Sequence, residues 1–414
     1  MLNINKTFWD NYYKNNNHDI KKSSSFSNFI YDNYINKYNT ENVYLKIADL
    51  GAGNCRDSIF FSEKGNMCYA VDINGVIDKN YPNCRLIKKD VEKVLKNKNL
   101  NTLTDIMYMR WFLHAMPYEN SEKIFKHAVH NLKPNGLICI EVRSMNDIEL
   151  KNNSEYDKND KSYKTTHKRW LFTIDMCKKL ATDHDCDILY CEEDYFSPNT
   201  NTETHNPLLI RIICQKKLLP YYEKSPNYHK YKHIIPKMRN YSIKSYSDMD
   251  KMNSILEKHN IKYVAVAGTL LGLNRHGGII PWDNDIDIGF LPKEWKKLLS
   301  IKDKLKKNGL NFHKEGNKNN HCHFGHIDCF KLVLNNNFFE GPAKTYCHKD
   351  ELKNVKKQIF GYTYIYSPFN SVRSLKKRYG NYFNDGNVND NFHFKDKSVK
   401  IFRLNHLDLS YQIK

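Results

Sequence analysis

Three aspartates alternate with other residues in the C-terminal half of the sequence, in the run Asp283-Asn284-Asp285-Ile286-Asp287. Side chains of a β-strand point to alternate faces, so this spacing predicts the carboxylates on one face and isoleucines on the other. Aligned carboxylates repel one another unless a cation neutralises them. Oxygen ligands of this kind suit Mg²⁺ or Mn²⁺, which keep open positions for phosphate oxygens.

A further carboxylate for such an ion is expected on a nearby strand. Asp328 lies inside an apolar run that extends to Val333, where an unpaired charge would be costly. Asp283 has the alternative role of ordering the loop. The competing interpretation is a solvated edge strand with Asp328 in a turn, but Pro281-Trp282 and the flanking isoleucines favour a buried element.

The residues ahead of the acidic run are suited to phosphate. A strand is predicted to enter a turn at Gly268-Thr269, a short helix follows, and Arg275-His276 precede two glycines. Backbone N–H groups of the turn would bind phosphate oxygens, and the two cationic side chains would stabilise phosphate charge. A bound ion would polarise the phosphorus centre and orient an incoming hydroxyl. The whole pattern predicts phosphoryl-group chemistry.

The N-terminal half carries a different motif, Asp49-Leu50-Gly51-Ala52-Gly53-Asn54, at the end of an apolar segment. Glycine allows a sharp turn and a close approach of the backbone to a ligand, and the helix predicted after it presents free N–H groups. A second apolar segment ends in Asp72, where a carboxylate can accept both hydroxyls of a ribose. These features together predict a crevice for a nucleoside cofactor.

The elements that position this crevice are short apolar segments alternating with helical patterns, which predicts a parallel sheet. The predicted strands are 45–50, 67–71, 106–109 and 137–142, and the predicted helices are 57–64 and 121–132. A polar stretch with several prolines then separates the two halves. We therefore predict domains at 1–217 and 241–414, joined by a linker at 218–240.

Charge is distributed unevenly along the 414 residues. Residues 218–414 hold 34 Lys and Arg against 18 Asp and Glu, which accounts for +16 of the net charge of +19. Such a field favours anionic partners, among them nucleic acid, phosphorylated glycans and nucleotide-linked donors. The sequence contains neither a long apolar stretch nor the pattern of a signal peptide, so we expect no membrane span and a cytoplasmic location.

The eleven cysteines are scattered and show no C-x-x-C pair, which argues against a disulfide framework. Most are predicted to be reduced core residues. The one dense group is His321-Cys322-His323 with His326 and Cys329, which would suit zinc by residue type. The second ligand pair of a known zinc pattern is missing.

At its glycine motif the N-terminal half resembles the class I methyltransferases that use S-adenosyl-L-methionine. Further matches extend over nearly the whole of residues 1–217, at 8–13, 24–26, 89–91, 108–115 and 132–136. The resemblance implies cofactor binding by Asp49, Gly51, Ala52, Gly53, Asp72, Asp90 and Val91. The glycines would border the methionine moiety, Asp72 the ribose and Asp90 the adenine amino group, whereas Cys55 replaces the third glycine of the usual pattern.

Two further residues follow the fourth predicted strand, at the edge where open α/β sheets bind ligands. Arg110 and His114 are therefore candidates for contact with the methyl acceptor, and His114 is also a candidate general base. The alternative for a single histidine at this position is a structural role. His167 and Arg169, later in the chain, are weaker candidates of the same kind.

The C-terminal half resembles the LicD family, which includes bacterial phosphocholine transferases and fukutin-related proteins. The similar stretch runs from Gly268 to Asp287, and weaker agreement at 327–328 and 375–380 extends it over about residues 240–390. The resemblance implies a nucleotidyltransferase-like fold and transfer of a phospho-alcohol, such as phosphocholine or ribitol phosphate, from a CDP-linked donor to a glycan. Asp285, Asp287 and Asp328 would be the catalytic metal ligands.

The predicted fold class is α/β, with a Rossmann-like methyltransferase sheet followed by an α+β nucleotidyltransferase-like domain. The predicted function is a bifunctional glycan-modifying transferase. Two alternatives stay open at this point, a nucleic-acid- or nucleotide-modifying enzyme and a partly non-catalytic binding protein. Nucleic acid is the less favoured partner, because the sequence shows no aromatic and basic RNA-binding signature.

Overall fold

The computed structural model divides into two compact units. One contains residues 1–100 and 104–217, and the other contains residues 101–103 and 218–414. The structure describes residues 5–14, 22–40, 42–97, 100, 103–196, 206–217, 235–280, 283–314, 320–342, 344–380, 385–388 and 402–405. The predicted linker lies outside the described residues up to 234, and its last six positions belong to a helix that begins at Ile235.

In the N-terminal unit, strands alternate with helices along much of the chain. Its strands are β1 (Lys46–Leu50), β2 (Met67–Val71), β3 (Cys84–Ile87), β4 (Thr104–Arg110), β5 (Leu132–Arg143), β6 (Glu155–Asp157), β7 (Ser162–Lys164), β8 (Lys168–Arg169), β9 (Cys186–Asp194) and β10 (Leu209–Lys216). Its α-helices are α1 (Lys6–Lys14), α2 (Ser25–Ile30), α3 (Asn36–Thr40), α4 (Arg56–Glu63), α5 (Val91–Lys96), α6 (Tyr118–His130), α7 (Ile148–Asn152) and α8 (Ile174–Asp183). The four strands predicted from apolar segments correspond to β1, β2, β4 and β5.

Seven of these strands form one sheet in the order β3-β2-β1-β4-β5-β10-β9. The first five are parallel to their neighbours, whereas β10 is antiparallel to both β5 and β9. Every residue of β1 is buried, as expected for a strand covered on both faces. Because β1, β2 and β4 run in the same direction, their carboxyl ends lie at one edge of the sheet, where the glycine motif, Asp72 and Arg110 are found.

The C-terminal unit contains a smaller, mixed sheet. Its strands are β11 (Val264–Ala265), β12 (Ile286–Phe290), β13 (Phe312–Lys314), β14 (His321–Phe324), β15 (Ile327–Lys331), β16 (Val333–Asn335), β17 (Phe338–Gly341), β18 (Thr345–His348), β19 (Val355–Phe360), β20 (Thr363–Pro368), β21 (Asp385–Val388) and β22 (Phe402–Asn405). Its α-helices are α9 (Ile235–Lys258), α10 (Ala267–Arg275), α11 (Pro292–Ser300), α12 (Lys302–Lys307) and α13 (Val372–Tyr379).

Five of these strands form the sheet β11-β12-β15-β14-β13, in which β12 and β15 are the parallel pair. Ile286 and Ile288 of β12 are fully buried and pack in one core with Cys329 of β15. The predicted α/β architecture with a second, mixed domain is thus confirmed. Among the described helices, none is both long enough and apolar enough to cross a bilayer.

The predicted acidic strand is shorter than expected. The strand β12 begins at Ile286, so Asp283 and Asp285 lie in the segment that leads into it, and only Asp287 is a strand residue. Pro281 and Trp282, which favoured a buried element, lie outside the described residues. Asp283 itself is buried, with 9% of its surface exposed, so it is not part of a solvated edge strand.

The parallel sheet holds a buried ion pair that tests how far its core tolerates charge. Lys133 Nζ lies 2.8 Å from Asp105 Oδ1, and both side chains are under 8% exposed. We expect Lys133→Met to cost up to about 3–5 kcal/mol, because it removes the ion-pair partner of a buried carboxylate, which then retains its interaction with the buried Lys46. Lys179→Met, which removes an exposed partner of Asp183, should cost under about 1 kcal/mol.

Urea unfolding of the full chain measures both values, with hydrogen exchange of β1 and β5 peptides reporting on this unit. Equal losses in the two variants would show that burial of the Lys133 pair contributes nothing to the free energy of unfolding.

Candidate functional site

Four carboxylates approach one another in the C-terminal unit. Asp287 and Asp328 are directly opposite each other in the parallel pair of β12 and β15, and Asp283 and Asp285 approach from the preceding segment. Burial and repulsion by Asp287 raise the pKa of Asp283, and burial with repulsion by Asp283 and Asp328 raises the pKa of Asp285. Burial, with repulsion by Asp285 and Asp328, raises the pKa of Asp287 well above its usual value.

This crowding is the physical test of whether the residues fit a cation. Partly buried carboxylates that raise one another's pKa are stabilised as anions when a divalent ion neutralises them. Oxygen donors from Asp285, Asp287 and Asp328 match what Mg²⁺ and Mn²⁺ accept. The donor types therefore fit a divalent cation. Asp287 and Asp328 are paired across the two strands, and Asp285 is close enough to Asp328 for the two charges to repel. Among the described residues, however, the three whose ligand atoms all lie within 4.8 Å of one another are His321, His323 and Asp328.

The helix α10 holds Asp287 through two reciprocal hydrogen bonds. The Thr269 N–H donates to Asp287 Oδ2 (3.2 Å), and the Asp287 N–H donates to Thr269 Oγ1 (2.6 Å). Gly268 is required beside them, because a Cβ at this position would lie 2.7 Å from Asp283 Oδ2 and 3.0 Å from Asp287 Oδ2. The predicted turn at Gly268-Thr269 is instead the first turn of α10, and its Thr269 amide serves a carboxylate of the protein.

The predicted phosphate ligands Arg275 and His276 lie at the other end of α10. The helix rises about 1.5 Å per residue, so Arg275 is roughly 9 Å along the axis from Thr269. Their side chains are only 4% and 2% exposed. A role in binding phosphate at the carboxylate cluster stays a prediction that this placement does not favour.

Two histidines join the carboxylate cluster from the strand β14. His321 Nε2 lies 3.4 Å from Asp328 Oδ2, and His323 Nδ1 contacts Asp328 Oδ1. These contacts, together with hydrogen bonding by the imidazoles, lower the pKa of Asp328 against the opposing effect of burial. In the sequence both histidines are candidates only for zinc, although their spacing of two residues places them on one face of a strand.

The predicted zinc group is not assembled as one site. Cys322 and Cys329 are 2% and 0% exposed and pack in the hydrophobic core, on the opposite face of the strands from His323. His326 pairs with Asp248 instead, with its Nδ1 2.9 Å from Asp248 Oδ2. The alternation of side chains across the hairpin separates the thiols from the imidazoles.

Helix α13 contributes two further residues that sequence reasoning did not assign. Arg378 lowers the pKa of Asp287, so its charge is close enough to stabilise the carboxylate. The pKa of Tyr379 is raised by burial and also by Asp287 and Asp283. Both residues belong to the segment 375–380, whose weak family resemblance was the available signal.

The glycine motif of the N-terminal unit forms a tight loop between β1 and α4. Gly51 has a φ of +79° and Gly53 a φ of +55°, conformations that favour glycine. The Gly51 and Ala52 N–H groups donate to the Val71 carbonyl, at 2.8 and 3.3 Å. Cys55 has a φ of +59° at the position of the third glycine, so a buried thiol occupies a left-handed backbone there.

The acidic residues of the predicted cofactor site surround this loop. Asp72 accepts the Gly53 N–H on Oδ2 (3.0 Å) and the Asn74 N–H on Oδ1 (2.8 Å), and burial raises its pKa. The pKa of Asp49 is raised to about 7 by burial and by Asp57, although Ser58 donates a hydrogen bond to it.

The predicted adenine ligands lie at the start of α5. Asp90 caps this helix and accepts the Lys93 N–H (3.0 Å). Val91 is the first residue of the helix and is 3% exposed, so it belongs to the core of the unit. Asp90 therefore has one established role, and adenine binding stays a prediction.

The aromatic helix α1 packs over the glycine loop. A Cβ on Gly53 would lie 2.3 Å from the Tyr13 hydroxyl, and Asp10 of the same helix contacts the Asn74 amide. Phe112 approaches Gly51 in the same way, with 2.4 Å to the nearest ring carbon. Backbone conformation therefore favours glycine at both positions, and Phe112 also leaves no room for a side chain at Gly51.

The two residues predicted to contact the methyl acceptor are both engaged within the protein. Arg110 Nε lies 3.2 Å from Glu141 Oε1, and Arg211 Nε lies 2.7 Å from the other oxygen of the same carboxylate. His114 is 3% exposed, and its Nδ1 accepts the Arg143 N–H (3.1 Å). Burial, with nearby arginines, holds the pKa of His114 well below its usual value, which disfavours proton abstraction near neutral pH.

Trp111, directly after β4, is a residue that sequence reasoning passed over. Its φ of +53° is rare for a bulky side chain, and the Arg110 and Arg143 guanidinium groups lie 4.5 and 5.4 Å from its ring centroid. Within the described part of the chain, its buried Nε1 has no hydrogen-bond acceptor. Backbone strain of this kind is commonly found at functional sites.

Residues 260–370 match the family described as LicD/FKTN/FKRP, nucleotidyltransferase domain. This part of the chain is a LicD domain. The matched residues include all four aspartates of the cluster and both histidines of β14, whereas Arg378 and Tyr379 lie beyond them. The identification agrees with the family resemblance read from the sequence.

Relatives of the chain are similar over limited segments. An uncharacterized protein of Rickettsia typhi is 30% identical over 153 residues, covering 32% of this chain and 45% of that protein. One of Rickettsia prowazekii is 31% identical over 142 residues, covering 32% and 53%. The lipopolysaccharide cholinephosphotransferase LicD of Haemophilus influenzae is 36% identical over 53 residues, covering 13% and 20%. The chain thus spans about half or less of these relatives' lengths.

Solved structures similar to the chain include methyltransferases. A SAM-dependent methyltransferase of Methanosarcina mazei is 20% identical, with a TM-score of 0.33, and the match covers 44% of this chain and 98% of that one. Magnesium protoporphyrin IX methyltransferase of Synechocystis, with bound SAH, is 12% identical, with a TM-score of 0.34, covering 51% and 100%.

The raised pKa values of the acidic cluster predict a pH-dependent stability. In the folded chain without metal, the pKa of Asp283 is raised to about 7 and that of Asp285 to about 9, so both carboxyl groups keep their protons at a higher pH than in the unfolded chain. A carboxyl group in the unfolded chain titrates near about 4, so the stabilising effect of these protons is lost as pH rises through the folded pKa values. The melting temperature in EDTA should therefore fall between pH 5 and pH 9.

Mg²⁺ or Mn²⁺ should restore the melting temperature most at the alkaline end, because a cation favours the ionised carboxylates. Asp285→Asn should flatten the pH profile in EDTA, and the exposed Asp303→Asn should leave it unchanged. A profile that is the same in all three proteins would exclude repulsion within the cluster as its cause.

Proposed function

We propose that the LicD domain transfers a phospho-alcohol from a CDP-linked donor to a sugar or glycoconjugate, in a metal-dependent reaction. The observation that carries the proposal is the convergence of Asp285, Asp287 and Asp328 from two strands and a leading segment onto one place. The Haemophilus relative is named a cholinephosphotransferase, which supports a donor of this class. The strong positive charge of residues 218–414 suits an anionic donor.

The ion would be held by the three aspartates and would, when bound, polarise the phosphoryl oxygens of the donor. The protein's own part is to hold the carboxylates in position before the donor arrives. Thr269 orients Asp287 through two hydrogen bonds, and His321 and His323 contact Asp328. Arg378 supplies a positive charge near Asp287 that would stabilise the phosphate charge of the donor.

For the N-terminal unit we propose methyl transfer from S-adenosyl-L-methionine. The support is the loop Gly51 to Gly53 at the carboxyl end of β1, with Asp72 at the end of the neighbouring β2. This is the edge of an open α/β sheet where ligands bind. Asp72 would exchange its bond to the Gly53 amide for bonds to the cofactor ribose.

The two activities make most sense together if both modify one glycan product, so the whole chain is proposed as a bifunctional glycan-modifying transferase. Its proposed partners are a CDP-linked donor and a glycan or glycoconjugate acceptor, and its proposed location is the cytoplasm. Tight, salt-sensitive RNA binding would favour the nucleic-acid alternative instead.

The transferase proposal is tested by incubating the full chain and Mg²⁺ or Mn²⁺ with a panel of CDP-alcohols and identifying products by mass spectrometry. Turnover of at least one donor is expected, and Asp287→Asn should lower it by about 100-fold or more, since even outer-shell changes at metal sites cost 10–100-fold. Asp303→Asn, an exposed change in the same unit, is the matched control. Equal turnover in the wild type and Asp287→Asn would exclude the metal assignment.

Calorimetry tests the N-terminal proposal separately. The full chain should bind S-adenosyl-L-methionine, and Asp72→Asn should raise the Kd by about 10-fold or more, because charged hydrogen bonds are worth about 1.5–3 kcal/mol. Asp78→Asn, at an exposed position after the same strand, should leave the Kd unchanged. Absence of binding at millimolar cofactor would leave this unit as a non-catalytic scaffold.

A further inference from the structure

The imidazoles of β14 lie on the same face of the sheet as the carboxylates. In the antiparallel pair of β14 and β15, His323 is opposite Asp328 and His321 is opposite Phe330. Since alternate residues share a face, His321, His323 and Asp328 point to one side. One ligand atom from each of the three lies within 4.8 Å of the other two, which is close enough for a single ion to contact all of them.

Asp328 belongs to both groups of potential ligands. It is opposite Asp287 on one side of β15 and opposite His323 on the other. The charge of His323 also acts on Asp285, whose pKa it lowers against the rise caused by burial and the neighbouring carboxylates. The carboxylates and the imidazoles therefore form one continuous set of donors around Asp328, with the hydrophobic core on the opposite face.

The chemistry of this set differs from that of an all-carboxylate site. Mg²⁺ strongly prefers oxygen ligands, whereas imidazole suits first-row transition ions, and Mn²⁺ accepts carboxylate readily. At a site for Mg²⁺ alone, the two imidazoles would act only as hydrogen-bond partners of Asp328 and not as ligands of the ion. The mixed donor set points instead to an ion that accepts both oxygen and nitrogen.

We propose that His321 and His323 supply nitrogen ligands to the ion at Asp328, so that the LicD domain of this chain takes Mn²⁺ or a similar transition ion in preference to Mg²⁺. The inference rests on the proposed metal role of the aspartates and extends it to two residues and to the class of ion. The competing arrangement is one in which both histidines only hydrogen-bond to Asp328 and never contact the ion.

Pulsed electron paramagnetic resonance of Mn²⁺ in the EDTA-treated full chain separates these arrangements. The wild type should show modulation from directly bound ¹⁴N, and the double variant His321→Gln/His323→Gln should lose it. Each single variant should retain weaker modulation, which keeps the test valid if the double variant fails to fold. His259→Gln, a change directly after helix α9 and outside the sheet, should leave the signal unchanged.

Calorimetry with Mn²⁺ and Mg²⁺ gives an independent readout. In the double variant the Kd for Mn²⁺ should rise by about 10-fold or more, and the Kd for Mg²⁺ should change much less, because only the transition ion loses a preferred ligand. Equal weakening for both ions, or tight Mn²⁺ binding without nitrogen modulation in the wild type, would overturn the proposal while the carboxylate site stands. Failure of the wild type to bind either ion would overturn the metal role of the aspartates as well.

Discussion

Repulsion among four crowded carboxylates is the constraint on which the C-terminal unit depends. Burial alone disfavours ionisation of these carboxyl groups. Repulsion within the cluster, which also includes Asp328, further raises the pKa values of Asp283, Asp285 and Asp287. The surrounding elements each oppose this cost. The start of α10 offers an amide, β14 offers two imidazoles and α13 offers a guanidinium.

In the N-terminal unit, the constraint is the limited space around the glycine loop between β1 and α4. Gly51 and Gly53 have backbone conformations that favour glycine, and Phe112 leaves no room for a side chain at Gly51. The cost of burying Asp72 beside them is reduced by two backbone amides. In both units, therefore, acidic side chains are held at the ends of strands by hydrogen bonds from the adjacent loop or helix.

Local sequence patterns predicted the structural features that depend on residues close together in the sequence. The strands β1 and β2 and the glycine loop follow from apolar runs, glycine and a terminal acid, and they lie where the sequence places them. Asp328 was also predicted as a further carboxylate on a nearby strand, and it lies opposite Asp287. The role of His323 could not be predicted in the same way, because it depends on the register between two strands of a hairpin.

The same limit explains the predictions that differ from the structure. The zinc interpretation grouped neighbours in sequence, but strand alternation sends Cys322 into the core and His323 away from it. Gly268-Thr269 is predicted to be a turn, but both residues belong to the first turn of α10, where the Thr269 amide has no partner within the helix and donates to Asp287. Arg275 is predicted to lie beside the phosphate, but it is the last residue of the helix whose first turn contains Thr269.

The reciprocal hydrogen bonds between Thr269 and Asp287 give Asp287 a different role from that of the other proposed ligands. Asp287 loses its rotational freedom when the strand and helix fold, so binding of an ion would not have to order it again. Asp283 and Asp285 belong to the segment ahead of β12, whose backbone is outside the sheet. Changes in that segment would therefore tune affinity, whereas changes at Thr269 would alter a preorganised anchor shared by every ion the site accepts.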